Sequence, residues 1–164
     1  MTRGILMLAL LGVLAGCSGT EDRATPAPST AVPSAKAGFG GPTPTPVPAT
    51  EVEESRFRTP TQNIACVLTD SEVRCDIVRK KWSAPSKPSD CSLDWGNGMA
   101  VSDGKATFTC AGDTVVGTST STLKYGRAVR SGTVRCDSVH TGLTCKDEET
   151  GHGFTLASGK YELF

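Results

Sequence analysis

The chain has 164 residues, with 17 Lys and Arg against 17 Asp and Glu, and seven cysteines. A formal net charge of zero gives no electrostatic basis for binding nucleic acid, so we expect no nucleic-acid partner. After residue 17 no apolar run is long enough for a transmembrane helix, and the length that remains suits one modest domain.

The amino terminus has the pattern of a secretory signal: Arg3, then an almost continuous apolar run from Ile5 to Leu14. The run ends in Leu14-Ala15-Gly16-Cys17. This tetrapeptide resembles the lipobox of bacterial lipoproteins, in which an apolar residue and two small residues precede a cysteine. The resemblance implies a signal peptide over residues 1–16 and a lipidated Cys17. The alternative is an ordinary signal peptide with an incidental cysteine.

Lipidation would determine where the mature protein resides. One acyl chain, such as palmitate, binds membranes only marginally, whereas two or three chains on one cysteine give stable attachment. We therefore expect a protein anchored through Cys17 to membrane lipid, on the extracytoplasmic face of the cell membrane.

Residues 17–54 read as a stalk. Seven of the ten prolines fall between Ser18 and Glu54, and Gly41–Pro48 has proline at every second position. That spacing favours extended polyproline II and excludes a helix or the interior of a sheet. The composition predicts a disordered spacer, because such a segment buries too little apolar surface to offset its ordering entropy.

Residues 55–164 read as one all-β domain, built mainly from antiparallel hairpins. Short runs of β-branched and aromatic residues alternate with Gly, Asp and Ser, and no long window has a helical period. We expect a long irregular connection over residues 80–102, with one short helical turn near Ser92–Gly96. The predicted strands are Ile64–Leu68, Glu72–Val78, Met99–Val101, Ala106–Cys110, Ala128–Arg130, Thr133–Asp137, Leu143–Lys146, Phe154–Ala157 and Tyr161–Phe164.

Six cysteines remain in the domain, and an even number in an exported small domain predicts three disulfides. Cys66 and Cys75 flank a midpoint at Asp70-Ser71, so a two-residue turn there places them opposite each other at a non-hydrogen-bonded position. Cys136 and Cys145 repeat this spacing around His140-Thr141. Cys91 and Cys110 then pair by exclusion. The alternatives, a metal site or redox chemistry, lack the short ligand spacings of zinc sites and any C-x-x-C motif.

A set of residues spread along the domain forms a second recognisable pattern: Phe57, Pro60, Asn63-Ile64, Cys66, Val73-Arg74-Cys75, Asp94-Trp95-Gly96, Lys124-Tyr125-Gly126 and Thr150-Gly151-His152-Gly153-Phe154. With these residues the domain resembles a family of exported, mainly actinobacterial proteins of unknown function. The resemblance implies a cysteine-linked β domain and supplies no catalytic residues.

Trp95, Tyr125 and His152 are the candidates for a binding surface. Trp95 and Tyr125, with Trp82, are aromatic side chains suited to a glycan or a protein partner. His152 lies between two glycines, which permit close approach of a ligand. The alternatives are that Trp95 covers the small core and that His152 belongs to a turn. His140, at a hairpin midpoint, is expected to face solvent.

No pattern in the sequence indicates catalysis, a cofactor or a metal ion. There is no Gly-x-Ser-x-Gly motif, and His140 with Cys145 lacks the Ser-x-Gly-Cys context of cysteine transpeptidases. The sequence favours a non-catalytic binding or interaction module of the envelope, whose partner is a cell-wall polymer or an envelope protein. The alternatives are a small enzyme acting on the cell wall, a hydrolase or transferase, and a structural spacer.

Overall fold

The computed structural model describes residues 46–164, which form strands and no helix. The all-β prediction is confirmed. The predicted signal peptide, Cys17 and the predicted stalk as far as residue 45 lie outside the described residues. None of residues 46–164 forms a helix capable of crossing a membrane. The strands are β1 (Ala49–Glu51), β2 (Ser55–Arg58), β3 (Ile64–Leu68), β4 (Val73–Ile77), β5 (Asp94–Ser102), β6 (Lys105–Ala111), β7 (Ser121–Thr122), β8 (Arg127–Ser131), β9 (Val134–Val139), β10 (Gly142–Asp147), β11 (Gly153–Leu156) and β12 (Tyr161–Leu163).

The strands form two six-stranded sheets. In one sheet, strands β2 to β6 follow one another as an antiparallel meander, and β7 pairs with the outer edge of β2 in parallel. In the other, β8 to β12 form a second antiparallel meander, and β1 pairs with the outer edge of β8 in parallel. The apolar inner faces of both sheets supply one continuous buried core.

The two meanders are structural repeats. The same register runs across each of them: the first aligns Phe57, Cys66, Cys75, Met99 and Phe108, and the second aligns Val129, Cys136, Cys145, Phe154 and Leu163. Where the third strand of each meander pairs with the fourth, the residue before the aligned position on the fourth strand is a glycine, Gly98 in the first repeat and Gly153 in the second. A Cβ on either would clash with the carbonyl oxygen of the inner cysteine, Cys75 or Cys145.

The repeats exchange their leading strands. β1 precedes the first meander in the chain but pairs with β8 of the second, and β7 precedes the second meander but pairs with β2 of the first. The hydrogen bonds that follow are equivalent: Val52 N donates to Arg130 O, and Leu123 N donates to Arg58 O, both at 2.9 Å. Each meander is therefore completed by a strand from the other half.

The three disulfides join the pairs expected from the spacing: Cys66–Cys75, Cys91–Cys110 and Cys136–Cys145. In the first hairpin Thr69 N donates to Glu72 O at 2.8 Å, which closes the predicted two-residue turn. The first and third disulfides are fully buried. They touch each other, since Cys75 Sγ lies 3.9 Å from Cys145 Sγ.

The repeated Val-Arg-Cys-Asp sequence reflects strand alternation. In both copies Val and Cys are fully buried, while Arg and Asp form an ion pair on the opposite face, Arg74 with Asp76 and Arg135 with Asp137. The copies occupy different strands of their meanders, β4 and β9. The two Val-Arg-Cys-Asp segments therefore do not occupy equivalent positions in the two structural repeats.

The predicted boundary between stalk and domain at residue 55 is wrong. Residues 49–51 form β1, Ser131 Oγ donates to Glu53 O at 2.6 Å, and Arg130 Nε donates to Glu51 Oε1 at 2.9 Å. Arg135 also donates to Val47 O. The fold therefore begins before Ala49. The sequence does not predict this first strand, because Ala-Thr-Glu has no apolar alternation and its partner strand β8 lies far along the chain.

The predicted helical turn at Ser92–Gly96 is also wrong. β5 begins at Asp94 and continues to Ser102, with an irregular register between Trp95 and Met99. Gly96, at φ 76°, provides the break in the regular strand, and Ala84 from the preceding connection occupies the space that a side chain there would need. The irregular connection consequently ends at Leu93.

Candidate functional site

The three residues predicted to form a binding surface lie in different surroundings. Trp95 packs against Phe108 with ring centroids 5.6 Å apart, and its Nε1 donates to Pro85 O at 3.0 Å. Tyr125 stacks on His140. The His152 ring is 3.3 Å from Phe164 O. No contact among residues 46–164 brings these three side chains together, so the structure does not assemble them into one surface.

Trp95 and Trp82 belong to the cover of the core. Trp82 lies against Tyr161, with centroids 4.7 Å apart, and its Nε1 donates to Ala157 O at 2.8 Å. Both tryptophans are half-buried, and both contact Phe108. The packing supports the interpretation that Trp95 covers the core, and it extends that role to Trp82.

The basic run Arg79-Lys80-Lys81 is also tied to the fold. Lys80 Nζ donates to Gly96 O and lies 4.6 Å from the centre of the Trp82 ring. Desolvation lowers the pKa of Lys80. Lys81 N donates to Ser158 O at 2.7 Å. These contacts hold the connection after β4 against the rest of the fold.

Tyr125 and His140 form the wall of a cleft. Their rings stack with centroids 4.0 Å apart and an interplanar angle of 38°. The cleft has a volume of about 270 Å³ and lies where loops of both sheets meet. His140 is exposed, as expected for its turn, and Tyr125 is half-buried. The sequence pointed to Tyr125 alone, because the 14 residues between the two carry no periodic signal that pairs them.

The local sequence holds Tyr125 in place. Arg127 N donates to Lys124 O at 3.2 Å, which closes a tight turn, and Gly126 takes φ 71° within it. That conformation favours glycine, since a Cβ there is strained. Gly126 N donates to Ser138 O at 2.8 Å, which fixes the turn against β9 beside His140.

Asn63 builds the floor of the cleft. Its Nδ2 donates to Arg79 O and to Ser158 Oγ, and its Oδ1 accepts from Arg79 N, each at 2.9 Å. The side chain is buried, and its bonds join the loop before β3 both to Arg79 after β4 and to Ser158 in the loop before β12. Asn63 is therefore a positioning residue for the cleft, a role that its place in the sequence did not reveal.

Hydroxyl groups surround the aromatic pair. Thr59, Thr61, Thr141 and Ser158 line the cleft together with backbone at Gly142 and Gly159. Among the described residues that line it, none is Asp, Glu, Lys or Arg. The site therefore offers an aromatic face and hydrogen-bonding hydroxyls without a fixed charge.

The structure places the potential catalytic groups apart. Cys145 is oxidised in its disulfide with Cys136. Within residues 46–164 no hydrogen bond links a histidine ring to a side-chain hydroxyl or a side-chain carboxylate, and no three His, Cys, Asp or Glu side chains gather as metal ligands. The Arg74 guanidinium, which hydrogen-bonds to Asp113, lowers the pKa of that exposed carboxyl.

The fold and the cleft together define a class: an all-β domain of two exchanged meanders, cross-linked by disulfides, with a neutral aromatic cleft where the two sheets meet. Within that class the chain belongs to the family of unknown function DUF6636, whose model matches residues 45–164. No curated protein and no solved structure matches the chain.

Proposed function

We propose that this protein is a non-catalytic binding module, anchored by a lipidated Cys17 to the extracytoplasmic face of the cell membrane, which binds a neutral glycan segment of the cell wall. One observation carries the choice of ligand. The cleft pairs the rings of half-buried Tyr125 and exposed His140 with four hydroxyl side chains, and its lining carries no fixed charge.

The chemistry of a sugar matches this lining. A saccharide presents apolar ring faces that pack on an aromatic side chain, and its hydroxyl groups exchange hydrogen bonds with Ser and Thr. A few placed polar groups on an otherwise apolar wall are usual in sites that orient a small ligand. An anionic polymer would require cations that the lining lacks, so the proposal favours a neutral saccharide.

The anchor rests on the sequence of residues 1–17. The tetrapeptide Leu14-Ala15-Gly16-Cys17 matches the lipobox pattern at each position, and the prolines that follow suit an extended spacer. Such a spacer would hold the glycan cleft away from the lipid surface and within reach of the wall.

Binding of neutral oligosaccharides prepared from cell wall tests the proposal. The mature chain with Cys17→Ser is titrated with the oligosaccharides while amide and side-chain NMR shifts are followed. We expect shifts around Tyr125 and His140, and an affinity at least tenfold lower for Tyr125→Ala. His140→Ala is expected to weaken binding in the same way, and His152→Ala is its matched control, because it removes the other histidine, which lines a different cleft.

Three results would decide against the proposal. A spacer would bind no oligosaccharide, and binding that Tyr125→Ala leaves unchanged would place the ligand elsewhere. Cleavage or transfer products, detected by mass spectrometry after incubation, would make the protein an enzyme.

A further inference from the structure

A second recess opens between the two exchanged strands, and we call it the exchange groove. It has a volume of about 350 Å³ and is lined from both repeats. Phe57 and Val129 form its apolar floor, and Val52 and Leu123 form equivalent walls. This part of the groove follows from the symmetry of the fold, because each apolar residue occupies the same position in its repeat.

Two basic residues break that symmetry. Lys124 and Arg127 line the exchange groove and are exposed. Lys124 directly follows the wall residue Leu123, and Glu53 holds the equivalent place after Val52. Arg127 lies two positions before the floor residue Val129, and Ser55 holds the equivalent place before Phe57. The first repeat therefore shows that the fold accepts these positions without a cation.

Among the described residues, the two cations form no ion pair. Within residues 46–164, neither side chain has a carboxylate oxygen within 4.0 Å, whereas Arg56, Arg74, Arg130 and Arg135 all form ion pairs. The groove thus combines an apolar floor with positive charge at one end that remains available for a ligand.

We propose that the exchange groove binds a fatty acid, with the acyl chain over Phe57 and Val129 and the carboxylate against Lys124 and Arg127. An arginine guanidinium donates two parallel hydrogen bonds to a carboxylate, and burial of each methylene on an apolar floor favours the long chain. The groove holds about a dozen groups of the size of water, at ~30 Å³ each, which suits a medium-length chain. The site is distinct from the glycan cleft and does not depend on it.

Titration of dodecanoate into the mature chain with Cys17→Ser tests the site, because this variant carries no attached lipid that competes. The probe variant is Lys124→Glu with Arg127→Ser, which installs the residues of the first repeat. We expect saturable binding below the micelle concentration and an affinity at least tenfold lower in the probe variant. Lys160→Glu, an exposed lysine outside the groove, is the matched control and keeps the wild-type affinity.

Two further measurements separate the charge from the apolar floor. Dodecyltrimethylammonium has the same chain with the opposite charge, and we expect it to bind at least tenfold more weakly than dodecanoate. Ser121→Trp places a large ring at the exposed wall of the groove and is expected to abolish binding. Thermal melting of each variant verifies that it is folded.

Several outcomes would overturn the proposal. They are unchanged dodecanoate affinity in the probe variant, equal binding of the cationic detergent, and self-association of the chain in place of binding. His140→Ala, which alters the glycan cleft outside the turn that carries Lys124 and Arg127, is expected to bind dodecanoate normally. A loss of dodecanoate binding in His140→Ala would place the fatty acid in the glycan cleft and refute the assignment to the exchange groove.

Discussion

Removal of one disulfide at a time is expected to separate the effect of loop length from the effect of burial. Cys91–Cys110 spans 19 positions, and Cys136–Cys145 spans 9. In the chain-entropy model, loops of about 20 and 10 residues contribute about 3.3 and 2.7 kcal/mol respectively. By loop length alone, the loss of Cys91–Cys110 is the more damaging change.

Burial reverses that order. Cys136 and Cys145 are both 0% exposed, and Cys145 touches the neighbouring disulfide through Cys75. Each Cys→Ala change there removes a buried sulfur and leaves a void, at a cost of about 1 kcal/mol per atom of this size. Cys110 is exposed and only Cys91, at 8% exposure, is buried, so replacement of this pair leaves a smaller void. We therefore expect a loss of about 5 kcal/mol for Cys136→Ala with Cys145→Ala and about 3–4 kcal/mol for Cys91→Ala with Cys110→Ala.

Urea denaturation of both double variants measures this difference. Each curve is fitted with its own m value, because an unfolded chain with fewer cross-links exposes more surface. Cys66→Ala with Cys75→Ala is the matched control, since it removes an equally short and equally buried disulfide. A larger loss for the Cys91–Cys110 variant than for either central variant would refute the argument, because loop length would then dominate.

Three other changes follow from the proposed anchor, the revised domain boundary and an internal carboxylate. Cys17→Ala is expected to abolish labelling of the protein by radioactive fatty acid, and continued labelling would disprove the anchor. Deletion of residues 20–43 is expected to leave the melting temperature unchanged. Extension of the deletion to residue 54 is expected to cost at least about 4 kcal/mol, because the pairing of β1 with β8 is lost together with four further hydrogen bonds to the second sheet, at about 1 kcal/mol each. Asp147 accepts from Thr150 N, Glu149 N and Thr133 Oγ1, and these bonds lower its pKa from 3.8. The contribution of the Asp147 carboxylate to the free energy of unfolding is therefore present at neutral pH and is lost as the pH falls below 3.8 toward the lowered pKa of the folded state. We expect wild type to lose more stability on acidification than Asp147→Asn when both are unfolded with urea over the same pH range.

Local patterns in the sequence located the hairpins. The strands around Asp70-Ser71 and His140-Thr141 pair across two-residue turns, so the spacing of cysteines on either side determines which residues face each other. All nine predicted strands are present in the structure, with their ends moved by a few residues. The largest change is in β5, which extends back to Asp94 through an irregular register at Gly96.

Pairing between distant segments could not be predicted in this way. β1, β2 and β7 are short, polar or mixed in sequence, and the parallel pairs β1–β8 and β2–β7 join residues more than 60 positions apart. The glycan cleft depends on the same long-range arrangement, since it takes residues from loops of both sheets. Tyr125 was identified as a surface aromatic, but its partner His140 was identified only as a residue of a turn.

The exchange of leading strands has a consequence for how a chain that emerges amino terminus first, during synthesis or during the proposed export, reaches its native state. Such a chain presents the whole first meander before Ser121 and Thr122, which complete the edge of that sheet, have emerged. β1 likewise has no partner until Ala128–Arg130 have emerged. Neither sheet can be completed by its own half of the chain, and such long-range strand pairings form slowly. The hairpin that contains Cys66 and Cys75 is local in sequence, so it is able to close and oxidise before the sheet is complete. Oxidation before assembly would hold the inner face of the first meander in register until the second half arrives.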